Sequence, residues 1–273
     1  MKRKKILGKT LTFVLSVLFC VFALLPIYTA AIIALTPYSN LLEPQLFPHY
    51  FEWQNFVDAF VLMRSKLLNS FIYAASATVL TTVISVPAAF ALARYQFKLR
   101  RFIRFMLLLT QMMAGIVILP ALYRMFHTLG MLDSPFVLII VYTAVNQALV
   151  VTIHYGYFAS LPKELDEAAA IDGCNYLQLL TRVIIPISGA GIAVGAIFVF
   201  VNCYNEFVIP LFLLSNVNDY PLTLTVYSLL SDTTIRWHIM AATSIIGIIP
   251  PVLIFTLFQN YIIKGVTSGA VKG

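Results

Sequence analysis

The chain has 273 residues, 60% of them hydrophobic and only 11% charged, with a formal net charge of +7. Soluble domains carry roughly a quarter charged residues, so a soluble fold with a large apolar core is excluded. The basic residues cluster at the ends of apolar runs without the basic-aromatic pattern of a nucleic-acid surface, and this points to orientation in a membrane rather than to a nucleic-acid partner.

Six apolar stretches approach the roughly 20 residues needed to cross a bilayer. In chain order they are 11–35, 67–93, 105–123, 135–153, 183–214 and 239–263, and Glu206 is the only charge within them. Residues 1–10 form a basic N-terminus, 265–273 a C-terminal tail, and 154–182 a polar loop between the fourth and fifth spans. The first run is longer than the apolar region of about 7–15 residues in a cleaved signal peptide, and it reads as a retained anchor. Fourteen of the 18 Lys and Arg fall on the side of the two termini, and four (Arg64, Lys66, Arg124 and Arg236) fall on the other. By the positive-inside rule both termini are cytoplasmic. The connections 36–66, 124–134 and 215–238 are then external, and Pro37, Pro44 and Pro48 argue against a continuous helix in the first of them. Trp53 and Trp237 are read as interfacial anchors.

The loop between spans four and five is the most polar cytoplasmic stretch. Pro162 suits the first turn of a helix, Glu164, Asp166 and Glu167 favour its N-terminal dipole, and Ala168, Ala169 and Ala170 propagate it. Gly173 is placed to end that helix in the left-handed conformation. Asn175 and Gln178, three apart, form a capping-box variant that starts a second helix. Pro186 marks entry to span five. On physical grounds two readings stand: a rigid docking knob, or an amphipathic loop lying on the membrane.

Glu167-Ala-Ala, then Gly173, then Val183-Ile-Ile-Pro186 resembles the EAA signature of permease subunits in binding-protein-dependent ABC importers. Further likeness is to the carbohydrate branch of that family, the maltose and multiple-sugar type. It lies in Asn69-Ser70-Phe71, Phe90-Ala-Leu-Ala-Arg94, Tyr204-Asn-Glu-Phe207 and the terminal Gly269-Ala-Val-Lys-Gly273 of its second, six-span subunit. Tyr204 stands where that family usually has Trp, and Cys174 where Ala is common. The resemblance implies an all-α polytopic membrane protein with the type I ABC importer permease fold. It implies a heteromeric complex in the cell membrane of a prokaryote, with a second permease subunit, two ATPase subunits and an extracellular or periplasmic sugar-binding protein. No cofactor is implied in this chain, since ATP and Mg would be held by the partner ATPase, and the chain would be a transport subunit, not an enzyme. Glu167, Ala168, Ala169, Asp172, Gly173 and Pro186 would couple to the ATPase, and the tail from Thr267 would reach toward it.

Polar residues inside spans are costly and face a cavity or another helix. Asn202, Tyr204, Asn205 and Glu206 in span five, Asn146 and Gln147 in span four, and Gln111 in span three are candidates for a carbohydrate pathway. Holding helices together is the competing role for Asn205 and Glu206. Gly191 and Gly195, four apart, suit close helix packing. Pro250-Pro251 should kink span six. No spacing of His or Cys fits a metal site, no catalytic constellation appears, and Cys20, Cys174 and Cys203 read as packing residues. Gly8-Lys9-Thr10 mimics the end of a phosphate-binding loop, but Arg3 stands where its first glycine belongs. A stand-alone secondary carrier or channel is the alternative function. Such carriers often contain inverted repeats, and none is found between the two halves of the chain.

Overall fold

The computed structural model describes residues 2–43, 46–113, 115–231 and 235–270, and side chains among residues 10–230 and 235–261 outside those breaks. Helices dominate, and no strand occurs among the described residues. The long ones are α1 (Lys2–Leu35), α2 (Gln54–Arg94), α5 (Pro135–Ser160) and α12 (Trp237–Ala270). Each contains a segment long and apolar enough to span a bilayer. Gly8-Lys9-Thr10 lies within α1 and not in a strand-to-helix loop.

Two of the expected spans are bent helix pairs. α3 (Arg100–Met112) and α4 (Gly115–Thr128) meet at 96°, with Met113 in extended conformation after α3. The expected span over 105–123 lies within this bent pair. Span five was expected over 183–214. Within it, α9 (Gly189–Asn205) is entered at an 80° bend past Ser188, and it stops before α10 (Val208–Leu213). Apolar composition sets how much chain prefers the hydrocarbon region. It does not report where the helix inside that chain is interrupted. α5 runs to Ser160, seven residues past its expected end, and α2 begins at Gln54, well before Leu67. Pro250 and Pro251 lie inside α12, which keeps its helical assignment through both.

The chain divides into two compact units. One comprises Met1–Arg64 with Val226–Ile249, and the other Ser65–Thr225 with Pro250–Gly273. The first has a small core of Ala34, Ala59, Ile239 and Ala242. Asn55 donates to the carbonyls of Ala34 (2.9 Å) and Thr36 (3.1 Å), fixing the end of α1 against the start of α2.

The second unit contains two larger cores. One gathers Tyr73, Leu138, Tyr142, Val199, Phe200 and Tyr204 among others, and the other Val86, Phe90, Val151, Phe158, Ala169 and Ile184. Here α5 and α9 pack closely. A methyl group added at Gly191 would strike the Tyr157 ring, and one at Gly195 would strike the His154 ring. His154 is fully buried, and its Nδ1 lies 3.0 Å from Ser85 Oγ.

At the other end of this unit the segment Val217–Leu222 lies along α2. Asn69 donates to the carbonyls of Asn218 (2.9 Å) and Tyr220 (3.1 Å), and Tyr73 to that of Asp219 (3.0 Å). Ser70 Oγ accepts the Leu222 N–H at 2.8 Å, and Lys66 Nζ donates to Val217 O. The Asn69-Ser70 pair therefore straps a connecting segment to a helix.

Two outcomes follow from this packing. Gly195→Ala should overpack the α5–α9 contact and destabilise by about 1–3 kcal/mol, read as a lower Tm in detergent, while Gly189→Ala, which has open space, should not. The double change Asn69→Ala with Ser70→Ala leaves carbonyls and one amide of the strap unpaired. It should cost about 1–3 kcal/mol and raise amide exchange over 217–222 specifically.

Candidate functional site

The segment between α5 and α9 folds as an elbow. Its first arm, α6 (Glu164–Ile171), starts two residues after Pro162, not at it. The reason is Arg94, at the end of α2. Its guanidinium donates to the carbonyls of Leu161 (3.2 Å) and Pro162 (3.3 Å) and lies 3.1 Å from Asp166 Oδ2. These bonds hold 161–162 extended ahead of the helix, and the Arg94 side chain is only 6% exposed.

α6 ends as its sequence implies. Gly173 has φ +74°, its N–H donates to Ala170 O (3.1 Å), and the Cys174 N–H donates to Ala169 O (2.9 Å). This pair of bonds is a Schellman motif. The second arm, α7 (Tyr176–Gln178), opens with the full capping box: Asn175 Oδ1 accepts from Gln178 N and Gln178 Oε1 from Asn175 N, both at 2.9 Å. A π-helical turn (Leu179–Ile184) and the short α8 (Ile185–Ile187) carry the chain to the bend at Ser188.

Of the six residues read as coupling residues, Glu167, Ala168, Asp172, Gly173 and Pro186 are exposed. Ala169 is buried in the core with Phe90, Leu179 and Leu180, so it seats the elbow and does not face outward. Tyr95 supports the seat, its ring edge-on to Phe90 and to Tyr176 at 5.8 and 5.3 Å. Burial pushes the Tyr95 hydroxyl pKa up, with Tyr176 and Asp166 adding to it. The outward face carries three apolar side chains that the sequence reading did not single out: Ile171, Tyr176 and Leu177, each about 70–90% exposed. Large exposed apolar groups beside polar ones mark interaction surfaces.

A second site lies among α3, α4, α5, α9 and α10. It is a cavity of about 900 Å³ lined by apolar residues and by Thr110, Gln111, Asn146, Gln147, Asn202 and Glu206. Five of the seven candidate pathway residues therefore share one space. Tyr204 and Asn205 do not line it: Tyr204 is buried in the core and stacks on Phe200, and Asn205 is exposed elsewhere. Helical geometry explains Tyr204, which stands two positions from Asn202 and so on the opposite side of α9. Glu206 lies just past the last residue of that helix.

Glu206 stands where α9 stops. Its Oε1 accepts the N–H groups of Phe207 (3.1 Å), Val208 (2.8 Å) and Ile209 (3.1 Å), and its own carbonyl accepts Thr223 Oγ1 at 2.8 Å. A carboxylate on the unpaired amides of a helix start is favoured by both hydrogen bonding and the helix dipole. Asn146 donates to Tyr142 O (2.9 Å) and Cys203 Sγ (3.4 Å) and accepts from Asn202 Nδ2 (3.1 Å), tying α5 to α9. Gln111 donates to Leu107 O (3.0 Å) and Thr152 Oγ1 (3.1 Å), tying α3 to α5. No group of His, Cys, Asp and Glu among the described residues is placed to hold a metal ion. The last residues of the C-terminal tail, 271–273, lie outside the described residues.

Comparison with known proteins bears on the whole chain. Residues 85–268 match the family model for the binding-protein-dependent transport system inner membrane component. The sulfoquinovosyl glycerol transport system permease protein SmoH of Agrobacterium fabrum is 30% identical over 97% of this chain and 95% of its own length. The trehalose/maltose transport system permease protein MalG of Thermococcus litoralis is 30% identical over 99% of each chain. The fold matches, with a TM-score of 0.80 at 22% identity, over 96% of this chain and 98% of the other, a chain in the crystal structure of a bacterial ABC transporter that imports the acidic polysaccharide alginate. The apolar helices make the chain an integral membrane protein, and with these relatives it belongs to the binding-protein-dependent transport system inner membrane components, as an ABC importer permease and not an enzyme.

Proposed function

We propose that this chain is one of two permease subunits in the prokaryotic cell membrane that together form a carbohydrate pathway, and that it couples this pathway to ATP hydrolysis by a separate ATPase. The elbow carries the reading: a capped, buried-backed helix pair that presents Glu167, Ala168, Asp172 and Gly173 beside exposed Ile171, Tyr176 and Leu177. A rigid element of this kind transmits displacement between bodies, where a floppy loop would absorb it. Kinship to permeases named for sulfoquinovosyl glycerol and for trehalose and maltose supports a carbohydrate as cargo. The bias of Lys and Arg supports cytoplasmic termini and a cytoplasmic elbow, where an ATPase would dock. ATP and Mg would be bound by that ATPase, a second permease would complete the pathway, and a binding protein would deliver sugar from outside.

Gly173 and Arg94 test the coupling role in separate ways. The space around Gly173 is open, so a side chain there acts through backbone strain and not by collision. Gly173→Val should lower sugar-stimulated ATP hydrolysis of the assembled complex by about fivefold or more, a typical coupling energy. Gly173→Asn, which tolerates positive φ, should retain most of it. Arg94→Ala removes the clamp on the start of α6 and should lower the sugar moved per ATP hydrolysed by a similar factor of about five. Unchanged coupling in both Gly173→Val and Arg94→Ala, with normal assembly, would overturn the elbow's role.

A further inference from the structure

Six polar side chains line the cavity, and the hydrogen bonds sort them. Thr110, Gln111, Asn146, Asn202 and Glu206 are each committed to protein groups. Gln147 is not: its Oε1 and Nε2 are both buried, and neither has a hydrogen-bond partner. Folded proteins leave few such groups unpaired, because a buried amide without partners forfeits its hydration. A carboxamide offers one acceptor beside two donors, which matches a pair of adjacent sugar hydroxyls, each able to donate and accept.

The charge of the cavity narrows the ligand further. No Lys, Arg, His or Asp lines it among the described residues. Its one acid, Glu206, turns an oxygen onto three amides at the start of α10. An anionic glycoside would meet no counter-charge here and one like charge, and between apolar walls that repulsion is poorly screened. A neutral polyol pays no such cost, and its apolar ring faces suit walls built from Ile116, Val145 and Met113.

We infer that Gln147 is the hydroxyl-reading residue of this half of the pathway and that the cargo passing it is a neutral glycoside. The inference rests on the importer reading above and adds to it the residue and the charge class. Gln111, Asn146, Asn202 and Glu206 are positioning residues that hold the broken helices around it.

The test uses the whole complex, with partner permease, ATPase and binding protein, in proteoliposomes. Labelled trehalose, maltose and melibiose serve as neutral probes, and sulfoquinovosyl glycerol and alginate trisaccharide as acidic ones. The wild type should accumulate a neutral probe in an ATP-dependent way and neither acidic one. Gln147→Met keeps shape but loses the amide, and it should lower uptake about tenfold while binding-protein-stimulated ATP hydrolysis stays within about twofold of wild type. Gln147→Asn, which keeps a shorter amide, should fall between. Wild-type uptake in Gln147→Met overturns the assignment. So does failure of that variant to co-purify with the partner permease, since Gln147 would then be an assembly contact. Uptake of the acidic probes overturns the charge class and leaves the importer reading intact. A wild-type complex that accumulates none of the five probes removes the importer reading, and this inference with it.

Discussion

A helix that stops between apolar walls leaves amide groups that water cannot reach, and the second unit is organised around meeting that requirement. At the end of α9 the Glu206 carboxylate takes three amides of α10 on one oxygen, and Thr223 donates to the Glu206 carbonyl. In a hydrocarbon setting each unsatisfied backbone group costs several kcal/mol, so a break without such partners would revert to continuous helix. The break makes room for the cavity, and Asn146, Asn202 and Gln111 hold the helices on either side at fixed separation. The only charge in the six apolar runs is thus a structural necessity as well as a lining residue.

The elbow illustrates a different solution to the same backbone problem. Its two helices are short, and isolated helices of that length are unstable. Local caps and tertiary seating replace length: the Schellman bonds at Gly173, the box between Asn175 and Gln178, and Ala169 buried against Phe90. The bend into α9 follows a π-helical turn, a form often found where helices are functionally interrupted. Rigid elbow and broken span are joined end to end, so the part that faces a partner and the part that surrounds the cavity are one continuous path of chain.

What the sequence made legible follows from the range of the interactions involved. The caps of the elbow span three to five residues, and their residue types sit at fixed offsets, so Gly173 and the Asn175–Gln178 pair could be read directly. The apolar runs could be read because hydrophobicity is a property of composition. Pro162 was misplaced by two residues because Arg94, nearly 70 positions earlier, competes for the local backbone. The breaks before Gly115, after Ser188 and at Glu206 were hidden inside apolar runs, whose composition does not mark them. The sorting of the polar residues was hidden as well, since Asn146 and Gln147 are neighbours of similar chemistry, and only the partner on α9 distinguishes them. Helical phase would have separated Tyr204 from Asn202 without any structure.

Within the second unit, α2 carries both anchors of the molecule's working parts on one rod. Lys66, Asn69, Ser70 and Tyr73 hold Val217–Leu222 near one end, and Arg94 holds the start of α6 at the other. A helix advances about 1.5 Å and turns about 100° with each residue. The interval from Tyr73 to Arg94 is therefore a phase as well as a length. Losing or gaining one residue there would swing Arg94 about a quarter turn away from Asp166 while leaving the strap in place. Exposed side chains along that stretch are free to vary, but Val86 and Phe90, packed in the core, and the number of residues are not.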